Sequence, residues 1–286
     1  MDYSFNLFGG DPRQWAAIAQ AAERLGFRAI WISDHIITPI DHKSRYPHNA
    51  SGAPGYSPDT PLMDPWVAIG HLGAATKTLL LGTGVYILPA RNPVLSARAI
   101  ASANYLLNGR VLAGIGTGWL KEEYDAVGAD FHDRGKRMEE IVEAMRTLWT
   151  GKVVEHHGPS YDIGRVQFSP AQMPPPPIIF GGQVEAALKR AAKFGDGFYG
   201  LTWPLEQTQA YVRQIHEWRK EAGRDHLPYQ VWVRVDGEPT AEKVQRYKKA
   251  GFEKLTVNFF PAATPTTQEQ KIELMEKFAR DVIRKV

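Results

Sequence analysis

The stretch Arg28-Ala-Ile-Trp-Ile-Ser-Asp34-His35 runs an apolar segment straight into an acid and an imidazole. Residues 28–33 read as a strand buried on both faces, because their apolar side chains are continuous rather than alternating. A loop rich in glycine and proline follows over 36–63, a composition that marks irregular backbone. In a (β/α)8 barrel the working residues sit where strands end and loops begin. Asp34-His35 is therefore read as the end of the second strand of such a barrel, opening onto its active rim.

The segments on either side fit that frame. Residues 3–8 form a first strand, and Asp11-Pro12 gives an N-cap with proline at the first helical position. Trp15, Ile18, Ala19, Ala22 and Leu25 recur at helical spacing until Gly26 ends the helix. Asp64-Pro65 starts a helix to about 76, 79–86 is a third strand, Asn92-Pro93 opens a helix closed by Asn108-Gly109, and 111–116 is a fourth strand. The second half continues with a helix over 137–149, then an inserted hairpin over 152–168 that turns at His157-Gly158-Pro159. A stiff connector over 173–177 leads to strands at 177–180, 197–201, 229–235 and 254–260, each followed by a helix. Eight strand–helix units are what a closed parallel barrel needs, though a doubly wound open sheet shares the pattern. No composition shift marks a second domain, so the chain is taken as one barrel domain over 1–286.

Composition narrows the function. The chain has 286 residues, 43% hydrophobic and 23% charged, with a formal net charge of +3. Those are ordinary globular values. The charge is too small, and basic residues too scattered, for nucleic acid. Zero cysteines removes disulfides, thiolate catalysis and Cys-ligated metal. The N-terminus has no charged-then-apolar leader, and the most apolar stretch, 79–90, is broken by glycines and too short to span a bilayer. These features give the expectation of a cytoplasmic protein acting on a small molecule.

The strand ends supply the candidates. Strand two ends in Ser33-Asp34-His35, strand three carries Thr83-Gly84-Val85, strand four ends in Gly116-Thr117-Gly118-Trp119, and strand five ends in Gly181-Gly182-Gln183. One acid–imidazole pair, three glycine-bearing ends and an indole suit a cofactor bed better than a hydrolytic site. His35 is the candidate catalytic residue, since imidazole carries protons near neutral pH. Adjacent residues on a strand point to opposite sides, so Asp34 and His35 cannot share a metal. The same holds for Glu155-His156-His157, and no His-x-x-x-His or Glu-x-x-His occurs. No metal site is assigned. Gly114-Ile-Gly116-Thr-Gly118-Trp119 misses the dinucleotide fingerprint, which would need glycine at Trp119. Gly181-Gly182 lies between a strand and a helix, where backbone amides can meet a phosphate at the positive helix end; an ordinary tight turn is the plain alternative.

These pieces, in order, resemble the bacterial luciferase-like oxidoreductases, and within them the branch that uses the deazaflavin coenzyme F420. The resemblance rests on Trp31-Ile-Ser-Asp-His35, on Leu81-Gly-Thr-Gly-Val85 with Arg91-Asn-Pro93, on residues 110–124, on Arg134-Gly-Lys-Arg-Met-Glu-Glu140, and on Ile178-Ile-Phe-Gly-Gly182 with Ala192-Lys-Phe-Gly-Asp-Gly197. It implies a flat ring across the barrel mouth, with Asp34 and His35 beside its reactive edge. It also implies a bulged third strand with a non-proline cis peptide at Gly84–Val85, and a phosphate held around Gly181, Gly182 and Gln183. Asp34, Thr83, Gly84, Val85, Gly116, Thr117, Trp119, Gly181, Gly182 and Gln183 are thus the expected cofactor contacts, and a homodimer is implied by the resemblance alone. One departure stands out. The sugar-phosphate dehydrogenases of the family carry an acid after the strand-four Gly-Thr-Gly and a tryptophan just beyond the Asp-His. Here those positions are Trp119 and Pro39, so that acid partner is missing and Trp119 reads as a wall. The leading expectation is an F420-dependent hydride-transferring oxidoreductase. The alternatives are a monooxygenase using flavin mononucleotide (FMN) and a non-catalytic flavin-binding barrel. The 36–63 loop, with Tyr46, His48 and Tyr56, is expected to cover the pocket.

Overall fold

A computed structural model describes residues 1–47, 51–172, 174–258 and 267–286. The elements in order are β1 (Asp2–Leu7), α1 (Trp15–Leu25), β2 (Ala29–Ile32), α2 (Pro65–Ala75), β3 (Leu80–Thr83), β4 (Tyr86–Ile87), α3 (Pro93–Leu106) and β5 (Val111–Gly116). Then come α4 (Lys121–Ala126), α5 (Arg134–Trp149), β6 (Val153–His157), β7 (Asp162–Gln167), β8 (Ile178–Gly181), α6 (Glu185–Phe194), β9 (Gly197–Thr202), α7 (Leu205–Glu221), β10 (Gln230–Arg234), α8 (Ala241–Lys249), β11 (Lys254–Val257) and α9 (Gln268–Phe278).

Eight strands close into a parallel barrel in the order β1, β2, β3, β5, β8, β9, β10, β11 and back to β1. The β3–β5 pairing is the seam that makes the sheet a closed barrel rather than an open doubly wound sheet. The third strand, read over 79–86, is broken where the family resemblance implies a bulge. The Gly84–Val85 peptide is cis, and the short β4 beyond it pairs with β5. β6 and β7 form an antiparallel hairpin between α5 and β8, turning at residues 158–161. The end of the expected eighth strand, 259–260, lies outside the described residues. Helix starts follow local chemistry: the Asp64 and Asn92 side chains each accept two backbone N–H bonds ahead of a proline. Among the described residues no helix is long and apolar enough to cross a membrane.

Alternation along each strand divides the core in two. Outward residues such as Phe5, Ile30, Leu81, Val111 and Phe180 pack under the helices. Inward residues Ala29, Trp31, Leu112, Ile179, Tyr199 and Trp232 fill the barrel itself. Trp31 lies 4.4 Å from Tyr199 and 5.4 Å from Trp232, ring centre to ring centre. The barrel is therefore a packed plug, and chemistry is confined to its upper end.

Candidate active site

The inward series on strand two runs Ala29, Trp31, Ser33, His35. Ala29 and Trp31 belong to the plug, and the Ser33 hydroxyl donates to Asn6 Oδ1 at the end of β1, 3.1 Å away. His35 ends the series at the rim. Its Nδ1 lies 3.2 Å from both carboxylate oxygens of Glu123. A carboxylate only accepts, so Nδ1 carries the proton of that bond and Nε2 is left for another partner. Glu123 has no exposed side-chain surface and also accepts the Ile36 backbone N–H at 2.6 Å. Glu123, four residues beyond Trp119, thus gives His35 a carboxylate partner.

Polar residues dominate 121–126, yet the segment is a helix, α4. It forms one because two of its polar-looking side chains are buried. Glu123 turns in to His35, and Tyr124 packs with Ile87 and Ala90 while its hydroxyl donates to Thr117 O at 2.5 Å. Lys121 and Asp125 pair on the outside. Glu122 and Glu123 also sit in the first turn, where the helix end favours negative charge.

Asp34 points the other way. Its carboxylate is enclosed by Arg91, with bonds of 2.7 and 2.9 Å, and by the Ile87 N–H at 2.8 Å. Burial pushes the Asp34 carboxyl upward while the Arg91 guanidinium pulls against it. The side chain has no exposed surface. Asp34 therefore braces strand two against the segment after β4. Thr83 is also fully buried, and its hydroxyl donates to Gly114 O at 2.5 Å, tying β3 to β5.

The floor of the mouth is Val85 and the Gly84 peptide. Gly84 N donates to Ile32 O at 2.8 Å, which fixes the third strand beside the second. A Cβ on Gly116 would come 2.5 Å from Val85 Cγ2, and one on Gly181 would come 2.6 Å from Val85 Cγ1. Those glycines are small so that Val85 can lie across strands four and five. Strand ends two, three, four and five thus meet at one rim, bringing together His35, Gly84, Val85, Gly116, Trp119 and Gly181. Gly182 follows with φ +139°, and α6 begins at Glu185 with no side-chain cap on its first turn. No side chain competes for its first-turn amides, but the Ala187 N–H already donates to Val184 O, and Glu185 sits among them, paired to Lys189. Gln183 Nε2 donates to Pro47 O at 3.3 Å, linking this turn to the long loop.

The loop supplies the upper wall. The Tyr56 ring lies 4.7 Å from His35, and Trp119 lies 6.3 Å from His35, 5.3 Å from Tyr46 and 6.3 Å from His42. The Lys43 and Ser44 amides donate to Glu122 at 2.7 and 3.2 Å. Burial works to raise the Glu122 carboxyl, but hydrogen bonds from the Ser44 hydroxyl and these amides win and hold it at about 2. His48 lies outside the described residues.

Sequence reasoning stopped at strands two to five and so missed Asn6, Glu123, Tyr199 and Arg234. Three of these had a readable sign. Asn6, Tyr199 and Arg234 are hydrogen-bonding side chains at inward positions of barrel strands. Glu123 had none, because its role depends on the fold of a short helix.

Comparison with known proteins places this geometry. Residues 6–279 match the sequence profile of the luciferase-like monooxygenases. The chain belongs to that family. An uncharacterized protein of Mycobacterium tuberculosis is 35% identical over 291 residues, covering all of both chains. The F420-dependent glucose-6-phosphate dehydrogenase of Nakamurella multipartita is 28% identical over 242 residues, covering 82% of this chain and 67% of that one. Among solved structures, an F420-dependent secondary alcohol dehydrogenase in complex with an F420–acetone adduct superposes with a TM-score of 0.78 at 17% identity, over 99% of this chain and 98% of that one. At that identity the likeness concerns the fold. The luciferase-like barrel that the family resemblance implies is the one observed.

Proposed function

We propose that this luciferase-like protein is an F420-dependent oxidoreductase acting on a small organic substrate. The observation that carries the reading is the His35–Glu123 pair at the rim, beside the floor made by Gly84 and Val85. The relatives that name F420 support the choice of cofactor. The residues present fit such a group. An apolar floor, aromatic walls at Trp119, Tyr46 and Tyr56, and an uncapped helix start after Gly182 suit a flat ring carrying a phosphate. When bound, a deazaflavin supplies a two-electron hydride donor or acceptor.

The chain's own residues do the rest. Val85 and the Gly84 peptide support one face of the site. Gly182, Gln183 and the first turn of α6 would hold the phosphate. His35 gives or takes the substrate proton through Nε2, and Glu123 fixes the ring orientation and stabilises the imidazolium when it forms. The aromatic side chains of the loop exclude water. A general acid–base group of this kind contributes roughly 10²–10⁴-fold to rate. The pairing of a rim imidazole with a fully buried carboxylate also argues against a barrel that only stores a ligand.

FMN is the competing cofactor, since the family is described as monooxygenases. Titrating the protein with each, followed by ligand fluorescence, tests the proposal. F420 is expected to bind at least about tenfold more tightly, a difference of about 1.4 kcal/mol. Tighter binding of FMN would sink the F420 reading.

A further inference from the structure

Across the mouth from His35, strand β10 ends in Arg234 after the apolar run Val231-Trp-Val. This is the last inward position of its strand, one alternation above Trp232 in the plug. The guanidinium donates from one Nη to the Tyr199 hydroxyl at 2.9 Å and lies 5.5 Å from the centre of that ring. Its Nε is buried and has no acceptor among the described residues. No carboxylate among the described residues comes within ion-pair distance, and the stretches 48–50, 173 and 259–266 contain no Asp or Glu. The charge therefore has no counter-ion in this chain.

Other buried or half-buried arginines are matched either to carboxylates or, like Arg110, Arg137 and Arg219, to backbone carbonyls. Arg91 is matched to Asp34, Arg146 to Asp196 and Arg190 to Glu139. A guanidinium withdrawn from water with an idle donor is costly unless something else completes it. Tyr199 shows where that something lies. Its ring packs on Trp31, and a Cβ on Gly84 would come 3.2 Å from its Cε1. Tyr199 thus joins the guanidinium to the same floor that His35 borders.

We propose that Arg234, oriented by Tyr199, is an anion-binding pole of this mouth and takes a planar oxygen anion. The planar fork of Arg matches a carboxylate or the anionic edge of a flat heterocycle, and charge-assisted bonds of that kind are the strong ones. The pole itself follows from the side chains alone. Only the source of the anion rests on the proposed function: it is either a substrate carboxylate or an oxygen of the cofactor ring.

The test uses the full chain, with Arg234→Met, Arg234→Lys and Tyr199→Phe. Two quantities are measured: the Kd for F420, and the response of the Arg234 Nε–Hε NMR signal to benzoate in wild type, with benzoate affinity measured in each variant. If the cofactor supplies the anion, Arg234→Met weakens F420 at least about tenfold. If the substrate supplies it, F420 affinity holds and benzoate binding to the F420-loaded protein falls at least about tenfold. In either case Arg234→Lys recovers part of the loss, and Tyr199→Phe shows a smaller loss of the same kind. The urea midpoint of Arg234→Met is expected not to fall, because a charge without a partner is removed. Unchanged F420 and benzoate binding in Arg234→Met overturns the pole. So does a lowered midpoint with unchanged binding, which would make Arg234 structural. Should Arg234→Met not fold, unchanged binding in both Arg234→Lys and Tyr199→Phe overturns it instead. A failed cofactor reading looks different: wild type then ignores F420, while benzoate still moves the Arg234 signal.

Discussion

The two walls of the mouth handle charge in opposite ways. On the β2 side His35 is matched to a fully buried carboxylate, Glu123, so a proton can come and go with its counter-charge in place. On the β10 side Arg234 carries a permanent charge and, among the described residues, hydrogen-bonds the Tyr199 hydroxyl rather than a carboxylate. A wall that is balanced within the chain suits proton transfer. A wall left unbalanced suits a ligand that brings the missing charge.

That contrast gives a ranked set of expectations. The largest concerns His35. His35→Ala should lower kcat about 10²–10⁴-fold while F420 affinity stays within twofold of wild type. Undiminished turnover would remove the proton role from the β2 wall. Next is Asp34→Asn, on the outer face of the same strand. Arg91 would keep its charge without a partner, and urea unfolding should report a loss of about 3–5 kcal/mol. An Asp34 variant of full stability but lost cofactor affinity would return that residue to the ring.

Glu123→Gln comes third. It preserves an acceptor for Ile36 N–H but withdraws the charge that backs His35. A lost charged hydrogen bond of about 1.5–3 kcal/mol corresponds to roughly a ten- to hundredfold drop in kcat. A fall in cofactor affinity with kcat intact would instead make Glu123 part of the binding wall. Gly181→Ala is fourth. Overlap with Val85 should cost about 1–3 kcal/mol in unfolding measurements, and Val85→Ala in the same chain should restore most of it. Additive losses in the double variant would show that the two do not share that space.

The smallest effect concerns the loop. Glu122 is depressed from an ordinary 4.5 to about 2 in the folded protein, so the stability it contributes is complete above about 4.5 and fades as pH falls through about 2. Amide exchange at Lys43 and Ser44 should therefore stay slow at pH 4, relative to their intrinsic rates, in the wild type. It should speed up in Glu122→Gln. Equal exchange in both would separate the loop from α4.

These walls were not equally legible in the sequence. The β2 wall announces itself: a buried run ends abruptly in Asp34-His35 before a long loop, and the period-two alternation even says that the two residues part ways. It does not say which one faces inward. That depended on Trp31 filling the barrel, which puts His35 on the mouth side and sends Asp34 to Arg91. Likewise Gly116 and Gly181 read as room for a cofactor, whereas the space a Cβ would need is taken by Val85 after the break in strand three. Glu123 was hidden because a six-residue helix leaves no periodic signal. Arg234 was visible as a lone cation closing an apolar strand, but its lack of a counter-ion is a property of the closed barrel. Local chemistry specifies the elements and the caps; only closure decides which strand ends become neighbours.

The most direct measurement is a crystal structure of the protein with F420 bound. The account expects the ring over Val85, its reactive edge toward His35 Nε2, and the phosphate at the Gly182 turn. A ring bound outside the rim, or one that leaves His35 facing solvent with Glu123 turned away, would contradict it.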